Sequence, residues 1–289
     1  MDPTRRLPPE LLDDLHAFAR GEREPVTPRN AATVVLLRPA QTGDAQRFGH
    51  SVSGGVEVYL LRRHRGMDFA SGMYVFPGGG VDARDEDSEI AWAGHAPAFW
   101  AERLTCTEAL ARALVCAAVR ETFEESGVLL AGPTPDSVVA DTTGEDWEAD
   151  RRALVDRELS FAEFLHRRDL VLRADLLAAW AHWITPEFEP RRFDTRFFVA
   201  ALPPGQVTRD VSTESDRVGW LRPADAISSV EEGSMRMLPP TYMTLYEMSA
   251  LARPEDALSV ADARTISPIR PSVRFDEAGA FLAVEGTDG

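Results

Sequence analysis

The sequence predicts a single α/β domain, in which strands and helices alternate along a chain of 289 residues. Runs of β-branched and apolar residues bordered by turn signals at 32–38, 56–62 and 193–202 are typical of strands. Residues 107–126 and 241–251 have the apolar period of amphipathic helices. The length is ample for one hydrophobic core, and no internal repeat or clear linker divides the chain.

Further elements complete this expectation. In the first half they are a helix at 10–20, a long glycine-containing loop between the first two strands, and a short strand at 74–76 that Pro77–Gly80 ends. In the second half they are two or three short helices within 145–180, a strand at 181–185, a short element at 220–221, and an edge hairpin in the tail from residue 264.

Net charge excludes several classes of partner. The chain carries 31 basic and 47 acidic residues, a formal charge of −16. Nucleic acids and anionic membranes attract clustered cations, so neither is expected as a partner. A phosphate-rich ligand would need a local positive charge, and a divalent metal ion is the obvious source. All basic residues are arginine and Asn30 is the only asparagine, which suggests a GC-rich bacterial genome.

The cysteines and the apolar runs predict a cytoplasmic protein. Cys106 and Cys116 fall in one predicted helix, where ten residues of rise separate them by about 15 Å, too far for a disulfide. Two free thiols suit a reducing compartment. No apolar run reaches the roughly 18 residues that span a bilayer, and no secretory signal is visible.

Three carboxylates stand out on the predicted helix 107–126. Glu121, Glu124 and Glu125 share an arc about 100° wide within one turn. Like charges at this spacing repel, and the helix C-terminus disfavours anions. A hard divalent cation would relieve both penalties. The spacing alone is equally compatible with a solvated acidic face.

The order of residues favours a metal site over a solvated acidic face. The segment Arg120-Glu121-Thr122-Phe123-Glu124-Glu125-Ser126-Gly127-Val128 resembles the distal half of the signature of Nudix hydrolases, with Thr122 replacing an aliphatic residue. Pro77-Gly78-Gly79 resembles its glycine entry, and Asp85 stands where a glutamate is usual. Residues 86–119 then separate Asp85 from Arg120, so the signature contains an insertion.

This split signature resembles one branch of the superfamily, which includes the peroxisomal coenzyme A diphosphatase of animals and its bacterial relatives. Weaker similarities follow in order: Trp183–Pro186, Arg192–Phe198, Glu214 before Trp220, and Leu238–Thr241. The resemblance implies the Nudix α/β/α sandwich with a mixed sheet. It implies one domain over 1–289, with a core at about 30–250, insertions at about 86–106 and 145–180, and a C-terminal extension at about 252–289.

The resemblance also implies residue roles. Glu121, Glu124 and Glu125 would hold Mg²⁺ or Mn²⁺ with the backbone carbonyl of Gly79. Arg120 would orient a ligand carboxylate by bidentate pairing.

The proton acceptor for the attacking water is one glutamate of the cluster or a loop glutamate, for which Glu214 is the candidate. Arg63, in the basic run 62–65, and Arg196 are candidate substrate contacts. For each, a solvated surface position is an alternative, and Arg196 has the further alternative of pairing with Asp194 or with the acidic helix. Trp92, Phe99 and Trp100 of the insertion are expected either to wall the substrate pocket or to cap the core.

The implied activity is hydrolysis of a nucleoside diphosphate linked to another group, with coenzyme A or an acyl derivative as the leading small-molecule substrate. NADH, ADP-ribose and dinucleoside polyphosphates stay open, as does a non-catalytic Nudix-fold regulator. A homodimer is also left open. The sequence has no zinc motif, P-loop or serine nucleophile motif that competes with this interpretation.

Overall fold

The computed structural model of the chain describes residues 6–7, 11–41, 55–64, 66, 70–86, 89–212 and 214–284. Its strands are β1 (Arg29–Pro39), β2 (Val56–Arg63), β3 (Tyr74–Val75), β4 (Gly78–Gly80), β5 (Trp92–Ala93), β6 (Ala131–Gly132), β7 (Val171–Arg173), β8 (Ala178–Ile184), β9 (Phe193–Ala201), β10 (Ser215–Leu221), β11 (Pro268–Ile269), β12 (Ser272–Asp276) and β13 (Gly279–Ala283). Its helices are α1 (Leu12–Ala19), α2 (Pro97–Leu104), α3 (Glu108–Ser126), α4 (Glu145–Val155), α5 (Phe161–Arg167), α6 (Pro223–Glu231), α7 (Pro239–Met248) and α8 (Pro254–Ala263).

A mixed sheet forms the centre of the described chain. Six strands run in the order β10-β2-β1-β9-β8-β11, while β3 pairs with β2 and β4 pairs with β1. The β1–β9 and β8–β11 pairs are parallel, and the other pairs are antiparallel. The central strand β1 therefore lies between β2 and β9, and its beginning also contacts β4.

Both faces of this sheet are covered, which explains why its central strands are apolar on both sides. Ala32, Val34 and Leu36 of β1 belong to a cluster with α3 and the helices beside it. Val35 and Leu37 belong to a second cluster, which includes residues of α6, α7 and α8. The result is the predicted α/β/α sandwich, with a core on each side of the sheet.

A third apolar cluster joins the two ends of the described chain. Leu15 of α1 packs with Phe188 and with Ala280 and Leu282 of β13. The backbone N–H of Leu7 donates to the carbonyl of Ala280 at 3.0 Å. The predicted hairpin of the tail is present as β12 and β13, which pair antiparallel.

Helix α3 has the ends that its sequence predicts. The hydroxyl of Thr107 accepts a hydrogen bond from the Leu110 N–H at 3.3 Å. Gly127 ends the helix with φ of 75°, a left-handed conformation that glycine adopts without strain. Cys106 lies just before the helix instead of on it, and both Cys106 and Cys116 are free thiols.

Two predicted elements are wrong. Pro77–Gly80 does not simply end β3, because Gly78–Gly80 forms β4 and pairs with Ala31–Thr33 of β1. The helical interpretation of 145–180 holds through α5 and then fails, since β7 and β8 begin at Val171 and Ala178. Leu172, Leu177 and Trp180 are buried there, and such an apolar run does not distinguish a buried strand from a helix.

Helices α6 and α8 were not predicted, although each has a proline in its first turn, where the missing N–H costs nothing.

The loop predicted between β1 and β2 falls largely on 42–54, outside the described residues, as do Glu10 of the predicted first helix and Arg65 of the basic run. None of the described helices is both long and apolar enough to cross a membrane.

Candidate active site

A cavity of about 960 Å³ opens where the C-terminal half of α3 meets β4. The three predicted carboxylates line it, together with Gly79, Arg120, Arg63 and Glu214. Seven of the eight predicted site residues therefore share one cavity. The short strand β4 makes this meeting possible, because its pairing with β1 holds the glycines beside the helix.

The glycines of β4 let the backbone approach two of the glutamates closely. A Cβ atom added to Gly79 would lie 2.5 Å from Oε1 of Glu121, so any larger residue would displace that carboxylate. The backbone N–H of Gly78 donates to Oε2 of Glu125 at 2.8 Å. The strand thus orients carboxylates of the helix as well as forming one wall of the cavity.

Arg120 links the helix to the residues that follow β4. Its Nε and Nη2 donate to the two carboxylate oxygens of Asp85, both at 2.9 Å. Its Nη1 donates to Oε1 of Glu121 at 2.7 Å and to Oε1 of Glu124 at 3.2 Å. Its Nη2 also donates to the carbonyl of Gly80 at 3.0 Å. One guanidinium group therefore holds three carboxylates and the end of β4 in a fixed relation.

The carboxylates are difficult to ionise together in this setting. Burial raises the pKa of Glu121 to about 7, and Arg120 opposes part of that rise. Burial also raises the pKa of Glu124, again against the attraction of Arg120. The pKa of Glu125 lies well above its usual value because of burial and the nearby charge of Glu121, while the Gly78 N–H lowers it. With all three carboxylates ionised, the cluster would carry more negative charge than Arg120 neutralises.

This excess of negative charge in the ionised cluster fits a divalent cation. Asp85, Glu121, Glu124 and Glu125 offer oxygen ligands, the ligands that Mg²⁺ and similar hard cations prefer, and Arg120 supplies a single positive charge among them. As the side chains stand, no three acidic, histidine or cysteine residues of the described chain form a ready group around one ion. Arg120 lies between Glu121 and Glu124 and separates their ligand atoms.

Glu214 and Arg63 lie near the glutamates in the same cavity. Arg63 Nη2 is 3.6 Å from Oε2 of Glu214, and 58% of the Glu214 side chain is exposed. The backbone carbonyl of Glu214 accepts a hydrogen bond from the His64 N–H at 2.7 Å, which ties this loop to the end of β2.

The predicted substrate contact of Arg196 is not supported, because Arg196 does not line the cavity. Thr195 and Phe197, its neighbours on β9, do line it, and successive side chains of a strand point to opposite faces. Arg196 is buried on the other face, where Nη1 pairs with Asp194, the alternative that the sequence left open. Asp194 also contacts Nε2 of His182 at 2.5 Å.

The aromatic residues of the insertion do not wall the cavity either. Trp100 is 1% exposed, belongs to the first core cluster, and lies edge-on to Phe198 of β9. Phe99 is 38% exposed and stacks on His95, while Trp92 donates to the carbonyl of His95. The alternative that they cap the core is therefore confirmed for Trp100.

Two further residues near the glutamates were not predicted as site residues. Asp85 stands at a signature position, and the structure adds that it is 1% exposed and holds Arg120. Arg151 of α4 lines the cavity and donates to the carbonyl of Glu124 at 2.7 Å. Its contact with Glu148 follows the i,i+3 spacing of a helix, but nothing local predicts its contact with α3.

Away from the glutamates, the cavity becomes apolar. It extends over the face of the sheet that carries the second cluster, and its wall there includes Trp183, Phe193, Phe197, Leu238 and Leu282. Leu282 belongs to the third cluster, so the C-terminal hairpin contributes to this wall.

The fold and this carboxylate helix define the class of protein. The chain is similar to the crystal structure of a NUDIX hydrolase from Alicyclobacillus acidocaldarius, with a TM-score of 0.66 and 25% sequence identity. That similarity covers 81% of this chain and 96% of the other. A family model described as the NUDT19 Nudix domain matches residues 92–251, more than half of the chain. The chain therefore belongs to the NUDT19 Nudix domain family.

Two curated relatives carry a more specific name. The chain is 28% identical over 233 residues to the acyl-coenzyme A diphosphatase NUDT19 of Xenopus laevis, which covers 68% of this chain and 59% of the relative. It is 28% identical over 264 residues to the human protein of the same name, covering 78% of this chain and 68% of the relative. The chain thus spans well under two thirds of the length of the frog relative.

Proposed function

We propose that this protein hydrolyses the diphosphate linkage of a nucleoside diphosphate joined to another group, with the help of a divalent metal ion. The observation that carries the proposal is the cluster of Glu121, Glu124 and Glu125 against the backbone of Gly78 and Gly79 in one cavity. Catalysis at phosphorus depends mainly on positioning and charge stabilisation, and this cluster suits both. Membership of a Nudix family supports the same reaction.

Mg²⁺ or Mn²⁺ is the proposed ion, held by the three glutamates with the carbonyl of Gly79. Such an ion neutralises charge on a diphosphate and lowers the pKa of an attacking water. The raised pKa values of the glutamates support a cation site, because a bound cation would favour their ionised forms.

The chain's own groups would prepare this site. Arg120, fixed by Asp85 and the carbonyl of Gly80, would orient Glu121 and Glu124. For the proton of the attacking water we propose Glu214 or Glu121 as acceptor, since both carboxylates line the cavity. Arg63, beside Glu214, would meet the substrate's phosphates.

The proposed substrate is coenzyme A or an acyl-coenzyme A. The names of the frog and human relatives support it, as does the apolar part of the cavity. A cavity of about 960 Å³ is of the size that encloses a large ligand. Arginines from separate parts of the chain also line it, which suits a ligand with several phosphates: Arg29, Arg63, Arg84, Arg151, Arg157 and Arg191.

A non-catalytic regulator is disfavoured because all three glutamates are present. We also propose that residues 1–289 form one domain, in which the extension 252–289 completes the cavity through Pro271 and Leu282. A cytoplasmic location, a bacterial source and a homodimer stay predictions. The two free thiols agree with the first of these.

The test is a substrate panel with Mg²⁺ and with Mn²⁺, whose products are resolved by mass. It compares coenzyme A, an acyl-coenzyme A, NADH, ADP-ribose and a dinucleoside polyphosphate. The matched control is Glu125→Gln, which keeps the size of the side chain and should lower turnover by on the order of 10². Equal activity of the variant, or full activity after exhaustive chelation, would refute the proposed mechanism. A clear preference for ADP-ribose or NADH would refute only the substrate.

A further inference from the structure

Helix α4 reaches across to the last turn of α3 through one buried side chain. Arg151 is 4% exposed. Its Nη1 donates to the backbone carbonyl of Glu124 at 2.7 Å. Its Nε and Nη2 donate to the two carboxylate oxygens of Glu148 at 3.0 and 2.7 Å. The guanidinium group is therefore fixed on one side by Glu148 and on the other by the helix that carries the glutamate cluster.

The same Glu148 carboxylate also holds a second arginine at this helix end. Arg209 Nη1 donates to Oε2 of Glu148 at 2.9 Å, and its backbone N–H donates to the carbonyl of Ser126 at 2.9 Å. A Cβ atom added to Gly127 would lie 2.7 Å from Nε of Arg209, so the guanidinium group lies directly against this glycine. Glu148 thus joins α4, the end of α3 and the chain segment that leads to Glu214.

This arrangement answers the electrostatic problem of the carboxylate helix. The last carbonyls of a helix lack intrahelical partners and carry partial negative charge, so three glutamates near them are unfavourable. Arg151 and Arg209 bring positive charge and donors to that end. The carbonyl of Glu124 receives one of those donors, and Glu124 also contributes its carboxylate to the cluster.

We propose that Arg151 is a positioning residue, which holds the last turn of α3 so that Glu124 and its neighbours can bind a divalent cation. The inference rests on the proposed function, because it concerns the same cation site. It assigns to α4 a part in the site, although α4 contributes none of the proposed ligands.

If Arg151 acted only through its charge, its removal would change the cation affinity in the opposite direction from that expected for a positioning residue. A positive charge beside the cluster repels a cation, so removing that charge alone would tighten cation binding. If Arg151 instead orients the helix end, removing it loosens cation binding despite the lost repulsion. The direction of the change in affinity therefore separates the two roles.

The experiment measures Mn²⁺ affinity by calorimetry on full-length protein without substrate. Arg151→Met keeps the length of the side chain and removes its donors, and it should weaken binding by about tenfold, as loss of outer partners of metal ligands commonly does. The matched control is Arg152→Met. Arg152 contacts the same Glu148 at 3.0 Å but is 71% exposed, so its loss should change the affinity by less than about twofold.

Unchanged or tighter Mn²⁺ binding by a folded Arg151→Met variant would overturn the proposal. Wild-type protein that does not bind Mn²⁺ would instead refute the proposed function. Arg151→Lys keeps the charge but cannot make all three hydrogen bonds, and it covers the case in which Arg151→Met fails to fold. We expect Arg151→Lys to bind Mn²⁺ more weakly than wild type. In the metal-free protein, we also expect faster hydrogen exchange at the backbone amides of residues 124–128. Wild-type affinity and exchange in Arg151→Lys would show that charge alone matters.

Discussion

Arg120 and Asp85 form a two-bond pair between the carboxylate helix and the segment after β4. The two N–O distances are both 2.9 Å, the residues are 35 positions apart in sequence, and Asp85 is 1% exposed. Asp85 stands at the position where the resembled signature has a glutamate. The pair joins the two separated halves of the signature.

Asp85→Asn should therefore lower stability and weaken cation binding together. Asn keeps the size of the side chain but can accept from Arg120 at one oxygen only, and loss of one buried charge-assisted hydrogen bond costs about 1 to 3 kcal/mol. Arg120 would then rotate away from its position between the glutamates, and Mn²⁺ affinity should fall by about tenfold or more. Urea unfolding and calorimetry measure the two effects. Asp216→Asn is the control, because Asp216 pairs with Arg62 at the surface. Equal losses in both variants would contradict this role of Asp85.

Gly79→Ala tests the close approach of β4 to Glu121. The added Cβ atom would lie 2.5 Å from Oε1 of Glu121, so the carboxylate must move, and turnover should fall by on the order of 10². Gly80→Ala is the matched control, since the nearest atom to its Cβ is the Asn30 carbonyl oxygen at 4.0 Å. Both glycines lie outside the left-handed region, so backbone strain does not enter the comparison. Similar turnover in the two variants would show that the approach is not required.

The stability of the metal-free protein should depend on the ionisation of Glu121. Burial raises the pKa of Glu121 to about 7, above its value of about 4.3 in the unfolded chain. The folded state thus favours protonated Glu121. The resulting contribution to the free energy of unfolding is fully present below the unfolded pKa and is lost as pH rises through the folded pKa. In chelator, wild type and Glu121→Gln should have similar melting temperatures near about pH 4, and the variant should be the more stable near about pH 8. A constant difference across this range would contradict the raised pKa.

Trp100 should matter for stability and not for substrate choice. It is 1% exposed in the first core cluster, so Trp100→Ala should cost about 3 to 5 kcal/mol of unfolding free energy. Phe99→Ala is the control, because 38% of Phe99 is exposed and its loss should cost much less. The ratio of turnover on coenzyme A to turnover on ADP-ribose should be unchanged in both. A shift in that ratio would show that the insertion contributes to substrate choice.

The parts of this molecule that the sequence predicts are those determined locally. Helix α3 could be predicted with its ends because Thr107 and Gly127 act on their own neighbours in the chain. The three glutamates share one arc by helical geometry alone. Strands β1 and β2 could be predicted from composition, and the two strands pair antiparallel.

The rest depends on contacts between distant parts of the chain. An apolar run buried on both faces does not indicate which side of β9 faces the cavity, so the sequence could not choose between a substrate contact and an Asp194 pair for Arg196. A tryptophan such as Trp100 is compatible with a pocket wall and with a hydrophobic core, so the sequence alone does not distinguish the two. Arg151 meets α3 only because α4 folds back over it, and no local pattern encodes that contact.

The contact between the two ends of the described chain bears on the stability of the apolar cavity wall. Arg6 and Asp276 form a two-bond salt bridge across 270 residues, so their contact closes a very long loop. Their side chains are each more than one third exposed, and the cluster beneath them is small. Such a region is among the first to separate in local unfolding. Because Leu282 belongs to that cluster and to the cavity wall, we expect local unfolding there to expose the apolar end of the cavity before it disturbs the pairing of β4 with β1.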